Sequence, residues 1–167
     1  GQTADFHVNL PGRHNVQNAL VALAIGHELG ADIEAMQRAL RGFAGVGRRC
    51  ETHGSFTLPQ GCIELVDDYG HHPREIAATF EALREAWPDR RLGVVFQPHR
   101  YTRTRDLFDD FTTILAEADA LVLTDVYAAG EAPIEGADSR ALARGIRARG
   151  RVEPVLVRSV AEGPDTL

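Results

Sequence analysis

The chain has 167 residues, room for one ordinary domain or for one domain with an appendage, but not for two full domains. A quarter of its residues are charged and the formal net charge is −6, so a broad basic footprint for nucleic acid is not expected. No apolar run approaches the roughly 20 residues of a membrane-spanning helix, and no basic segment leads into an apolar one at the N-terminus, so a cytoplasmic protein is expected.

In chain order, Asp5 to Leu10 alternates weakly and predicts a short strand closed by Pro11-Gly12. An Ala/Leu-rich helix follows and stops at Gly30. Its first turn carries His14, Asn15 and Asn18. The two asparagines, three residues apart, face the same way where backbone N–H groups lack partners, so an adenine or a phosphate could be held there; the plainer alternative is that Asn15 caps the helix. Asp32 is placed to cap a second helix, whose stripe of Ile33, Met36, Leu40 and Phe43 reads as core. Gly42, Gly45 and Gly47 then mark a domain boundary, and the helical piece before them is too small to stand alone.

Beyond the boundary, Arg48 to Gly54 reads as a strand. The segment Gly54 to Gly61 turns the chain into the run ending at Asp67, which predicts an antiparallel pair at one edge of a sheet. Pro73 suits a first helical position, and Ile76, Ala77, Phe80, Leu83 and Trp87 give that helix its buried face before Pro88 ends it. Leu92 to Phe96 is a buried-strand run, followed by a polar loop and a helix with Leu107, Phe108, Phe111, Ile114 and Leu115 inward; Asp106, Asp109 and Asp110 suit its N-terminus. Ala120 to Leu123 repeats the pattern. A long loop runs from Asp125 to Asp138, Ser139 to Arg149 forms a basic helix and Val155 to Val157 a strand; Ser159 to Leu167 begins one more element.

Strand, polar loop, helix, strand is the pattern of an α/β fold with a mostly parallel, Rossmann-like sheet and helices on both faces. It puts the loops after Asp67, Phe96 and Leu123 on one sheet edge, where such sheets bind ligands. Collected there are Asp67, Asp68, Tyr69, His71, His72, His99, Arg100, Arg103, Arg105, Asp125 and Tyr127. Arginine forks match carboxylate and phosphate oxygens, so Arg100 and Arg103 read as anion clamps, and histidine can serve a phosphate or an amine near neutral pH. Two alternatives stay open: the carboxylates simply neutralise the arginines at a solvated rim, or Asp67, Asp68, His71, His72 and His99 hold zinc or manganese, against which the adjacent arginines argue. Cys50 and Cys62 are not spaced as a redox or metal pair and read as small, buried or half-buried reduced thiols. All eighteen basic residues are Arg, so a Walker loop, which needs lysine, is not present.

The segments Leu10–Ala19 (LPGRHNVQNA), Gly47–Arg49 (GRR), Asp67–Pro73 (DDYGHHP), Phe96–Phe108 (FQPHRYTRTRDLF) and Asp125–Glu131 (DVYAAGE) closely resemble, in the same order, the Mur ligase family. The block Phe96–Phe108 is the most specific of them. Cys50 departs from the family, which usually has an aromatic there. The resemblance implies that residues 1–46 end a central ATP-binding domain and that 47–167 form a C-terminal Rossmann-like domain, truncated at its end. It also implies ATP-dependent joining of L-alanine to UDP-N-acetylmuramate in peptidoglycan synthesis, through an acyl phosphate, by the full-length protein and not by this part alone. By resemblance, His14, Asn15 and Asn18 hold the adenine side of ATP, Arg49 the γ-phosphate, and Asp67 or Asp68 the ribose. His71 approaches the phosphate, while Tyr69, His99, Arg100 and Arg103 form the alanine pocket. Mg²⁺ accompanies ATP, its ligands mostly outside this chain. The alternatives are a free-standing nucleotide- or amino-acid-binding module and the related ligase that recycles murein peptide.

Overall fold

The computed structural model describes residues 3–10 and 12–158. They form two compact units: residues up to Gly70 with Ala78–Pro88, and His71–Ala77 with the residues from Asp89 on. Among the described residues no helix is long and apolar enough to cross a membrane.

In the first unit, α1 (Arg13–Glu28) starts at Gly12, whose φ of 96° suits a residue without Cβ and which has no side chain to cap with. Asn15 is therefore not the cap; it lies inside the helix and is buried. The helix closes in a Schellman arrangement, with Ala31 N–H donating to the Gly26 carbonyl at 2.9 Å and Gly30 N–H to that of His27 at 3.0 Å. The cap of α2 (Ile33–Gly42) is Asp32, whose carboxylate accepts from Ala35 N–H at 2.9 Å. Asp5 to Leu10, expected as a strand, is irregular because it has no ladder partner and is tied instead to α2. Gln37 Nε2 donates to the Asp5 carbonyl at 2.7 Å, and Asn9 Nδ2 donates to the carbonyl of Arg41. Pro11 lies outside the described residues.

Neither helix closes a core. Ile33, Met36 and Leu40 are half-buried and Phe43 is exposed, so the stripe expected as core is only partly covered. On α1, Val16, Leu20, Val21 and Ile25 are exposed on opposite sides, and only Asn15 and Ala19 are buried.

Strands β1 (Glu51–Leu58) and β2 (Gly61–Asp67) pair antiparallel, with Glu51 opposite Asp67, Phe56 opposite Ile63 and a bulge between Thr52 and Gly54. The strand starts three residues later than expected, because Arg48 (φ 59°) and Cys50 (φ 47°) are in the left-handed region and make a turn. The pair is antiparallel as expected, but it forms a two-stranded sheet of its own, so the placing of Asp67 on the edge of the parallel sheet is corrected. The reason lies in the run itself: Glu64 interrupts it, and β2 is nowhere fully buried. An antiparallel pair can leave a face to water, whereas a strand within a parallel sheet is covered on both.

In the second unit, β3 (Gly93–Phe96), β4 (Ala120–Leu123) and β5 (Pro154–Leu156) form a parallel sheet in that order, with Phe96 opposite Leu123 and Leu123 opposite Leu156. The expected single helix between β3 and β4 is two, α4 (Tyr101–Asp106) and α5 (Phe108–Leu115), because Leu107 leaves the helical region at φ −117°, ψ 25°. The break brings Asp109 and Asp110 into the first turn of α5, where acids suit the helix dipole. Asp138 caps α6 (Ser139–Arg147) through Ala141 N–H at 2.7 Å. The core here is Phe111, Leu115, Leu121, Leu123, Leu142 and Ile146, all nearly inaccessible, each contributing roughly 1.5–3 kcal/mol by burial. Gly145 lets α6 approach α5, since a Cβ there would stand 2.7 Å from Cγ2 of Thr112. Between β2 and β3, α3 (Pro73–Ala86) has its first residues in the second unit and the rest in the first. Ser159 to Leu167 lies outside the described residues.

Candidate active site

The ligand edge of the parallel sheet is built by two loops running side by side beyond β3 and β4. Thr124 N–H donates to the Phe96 carbonyl at 3.0 Å, Tyr127 N–H to that of Pro98 at 2.8 Å, and Arg100 N–H to that of Tyr127 at 2.8 Å. His99 and Tyr127 thus face each other as an isolated parallel bridge, with ring centroids 5.2 Å apart, and the ring of His71 lies 6.1 Å from that of His99.

Arg100 stands at the entry of α4 with φ 72°, a conformation that costs a non-glycine residue energy and is often found where function requires it. Its carbonyl accepts from both the N–H (3.1 Å) and the hydroxyl (2.9 Å) of the buried Thr104, which holds the strained turn from below. One turn on, Arg103 bends back: Nη1 donates to the His99 carbonyl at 3.2 Å and lies 3.3 Å from Nδ1 of the ring. Burial, then the charges of Arg103, Arg100 and His71, moves His99 below its ordinary pKa of 6.5. Across the loop, Glu131 accepts from Thr102 N–H at 3.0 Å and from the Thr102 hydroxyl at 2.7 Å. Those hydrogen bonds hold the Glu131 carboxyl below its ordinary value, helped by Arg100.

The start of α3 is a capping box in which a histidine takes the serine's place. Arg74 N–H donates to His72 Nδ1 at 3.2 Å, while Glu75 Oε2 accepts from His71 N–H at 3.0 Å and His72 N–H at 3.1 Å. Glu75 also sits 3.5 Å from Nδ1 of His71 and so orients that ring.

In the first unit, Asp68 fixes its own turn, accepting from Cys50 N–H at 2.8 Å and Gly70 N–H at 2.7 Å. Tyr69, half-exposed, donates its N–H to the Arg48 carbonyl at 2.6 Å, and the Arg48 guanidinium lies over its ring at 4.9 Å. Arg48 also pairs with Asp67 at 3.3 Å. Arg49 is exposed. At the start of α1, Asn15 is buried, His14 half-buried and Asn18 exposed, so the two asparagines differ in what they can reach.

The structure therefore gathers His71, His99, Arg100 and Arg103 in one unit, and Arg48, Asp67, Asp68 and Tyr69 in the other. Of the five residues of the metal alternative, Asp68 and His72 are engaged by backbone N–H groups. Among the described residues, the one group of side chains close enough to share a metal ion is Glu51, His53 and Asp67, with donor atoms within 4.8 Å of one another; in it Arg48 pairs with Asp67 and its N–H donates to Glu51. Thr102, Glu75 and the cap role of Glu131 were not found from sequence. Glu75 is three residues after His72, the spacing of a capping box, and was findable; Glu131 and Thr102 are 29 residues apart and give no periodic signal.

Residues 48–166 match the Mur ligase, glutamate ligase domain family. The chain is 60% identical over 96% of its length to the UDP-N-acetylmuramate–L-alanine ligase of Neisseria meningitidis serogroup A, covering 34% of it, and 57% identical over its whole length to that of Halorhodospira halophila, covering 35%. It also superposes on the solved UDP-N-acetylmuramate-alanine ligase of Thermotoga maritima with a TM-score of 0.77 at 29% identity, over 99% of this chain and 34% of that one. The chain thus spans about a third of the length of the relatives it matches.

Proposed function

Because the chain belongs to the Mur ligase family, we propose that it is a part of an ATP-dependent ligase that joins L-alanine to UDP-N-acetylmuramate during peptidoglycan synthesis. The observation that carries this reading is the 60% identity to a ligase of that name along 96% of the chain. In the reaction, a muramate carboxylate oxygen attacks the γ-phosphorus of ATP and ADP leaves. The amine of L-alanine then attacks the acyl carbon, loses a proton and displaces phosphate, leaving an amide.

His99, Arg100 and Arg103 take the amino acid, the guanidinium groups pairing with its carboxylate so that its amine is free to attack. His71, oriented by Glu75, approaches the transferred phosphate, and Arg49 serves the γ-phosphate. Positioning and charge carry most of such a transfer. The adenine side falls to His14, Asn15 and Asn18. The ribose falls to Asp67 or Asp68, and Asp68 also fixes the turn that carries Tyr69. A chain without lysine cannot supply a Walker loop, so the phosphate cradle and most Mg²⁺ ligands belong to the rest of the full-length protein. Residues 1–46 are the end of that central domain and 47–167 the Rossmann-like domain. An α1 that is apolar on opposite sides supports this, since such a helix is ordinarily surrounded by core.

Given ATP, Mg²⁺, L-alanine and UDP-N-acetylmuramate, the full-length protein is expected to make UDP-N-acetylmuramoyl-L-alanine, ADP and phosphate, and the present chain alone to make none. Product formation by the 167-residue chain alone would overturn the partial-enzyme reading. A full-length protein that accepts only preformed murein peptide would be a recycling ligase instead.

A further inference from the structure

We propose that Glu131 is a positioning residue for the arginine loop: its carboxylate, reaching over from the loop after β4, fixes the start of α4 and thereby the points from which His99, Arg100 and Arg103 reach the substrate. This rests on the alanine assignment above. The helix is six residues long and its entry residue, Arg100, offers no side-chain cap, so its first N–H groups need a partner from elsewhere. Glu131 supplies it to Thr102 and takes the Thr102 hydroxyl as well, one oxygen for each donor. The same loop holds Arg100 N–H through the Tyr127 carbonyl at 2.8 Å. Arg100, in its strained turn, is thus held by Tyr127 across the loop and by Thr104 within α4, while Glu131 holds Thr102 two residues on.

The two bonds from Thr102 have a second effect. A carboxylate close to Arg100 is a natural competitor for the anion the arginine loop binds. Here both oxygens are turned to Thr102, and among the described residues Glu131 makes no ion pair with Arg100 or Arg103, so the clamp stays open to an outside carboxylate. Glu131 acts on the substrate through Thr102 and not by touching it.

The test is a double-mutant cycle in the full-length protein, with Glu131→Ala, Thr102→Val and the pair, varying L-alanine and ATP in turn. Removing one charge-assisted cap is expected to raise KM for L-alanine by about tenfold while KM for ATP stays within about twofold. Thr102→Ser keeps both donors and is expected to retain the parent KM. The double variant is expected to be little worse than Glu131→Ala, since Thr102→Val removes only the hydroxyl bond, which Glu131→Ala already removes together with the bond from the Thr102 N–H. Hydrogen exchange over residues 99–106 is expected to quicken in Glu131→Ala. Additive effects, an unchanged KM for L-alanine, or unchanged exchange would each overturn the proposal. If Glu131→Ala folds poorly, Thr102→Val, a change of one atom in the half-buried first turn of α4, carries the test. If Arg103→Ala itself leaves KM for L-alanine unchanged, it is the alanine assignment that falls, and the exchange measurement then decides the positioning role on its own.

Discussion

Arg103 Nη1 lies 3.3 Å from Nδ1 of His99, one turn of helix back, while donating to the carbonyl of that same residue at 3.2 Å. A guanidinium can only donate, so Nδ1 must be the acceptor and the ring's proton sits on Nε2. Burial acts in the same direction, disfavouring the imidazolium, and Arg100 and His71 add to it. His99 is therefore a neutral ring that presents an N–H donor at neutral pH. Its NMR titration midpoint is expected below 6.5, and in Arg103→Ala it is expected to move back up. The sign for folding follows. The unfolded ring takes its proton near 6.5 and the folded one only at lower pH, so this group weakens the fold progressively as pH falls below 6.5. A midpoint that ignores the loss of Arg103 would mean that the contact does not govern the ring.

Glu75 shows the opposite dependence. Burial alone would raise its pKa, but the N–H groups of His71 and His72 and the charges of both rings outweigh it and bring the value below 4.5. The cap is thus in force above 4.5 and is lost as pH falls through the lower, folded value. Glu75→Ala is expected to cost about 1 kcal/mol in urea unfolding at pH 7, the usual worth of a cap. At a pH low enough to protonate the carboxyl in the parent, the difference between the two should shrink. An equal loss at both pH values would show that the side chain packs rather than caps.

The two thiols should separate cleanly. Burial, and then the negative charge of Asp68, pushes Cys50 up from 9.0 to about 11, whereas Cys62 is exposed, against the expectation that both are buried or half-buried. The thiolate is the reactive form, so a thiol reagent at pH 8 is expected to label Cys62 alone, with Cys50 reacting only in denaturant. The unfolded chain releases the Cys50 proton at lower pH than the folded one, so stability should fall as pH rises from 9.0 toward about 11. Rapid labelling of Cys50 in the folded chain would contradict its burial.

What could be read from the sequence was whatever is written in neighbouring residues. Asp32 and Gly30 mark helix ends because capping is local, and the runs Leu92 to Phe96 and Ala120 to Leu123 hold β3 and β4 because short apolar runs bounded by polar loops form strands, although β3, expected as buried, is an edge strand in which only Phe96 is buried. The loops that follow them lie side by side as expected, because parallel neighbours must end at the same edge. What escaped depends on distant partners or on unusual backbone. Glu131 meets Thr102 only because two loops converge. β2 leaves the parallel sheet for a hairpin of its own, which an apolar run alone does not reveal. Arg48, Cys50 and Arg100 adopt positive φ without being glycine, so nothing in their side chains announced the turns they make.

The assignment of the arginine loop to the amino acid is tested most directly at Arg103. Its Nη1 is held by His99, which orients the guanidinium plane, and the rest of the fork remains for a carboxylate. Each charge-assisted hydrogen bond removed costs on the order of 1.5–3 kcal/mol. At about 1.4 kcal/mol per factor of ten, Arg103→Ala in the full-length protein is expected to raise KM for L-alanine by roughly tenfold or more, with KM for ATP little changed. A rise in KM for ATP alone would transfer the loop to phosphate binding. Arg103→Lys separates charge from geometry. The ammonium keeps the charge but cannot both satisfy the His99 carbonyl and present a planar pair of donors, so it should behave more like alanine than like arginine. Near-parental kinetics in that variant would mean that the site needs a positive charge there and not a fork, and steady-state runs varying each substrate in turn distinguish the two.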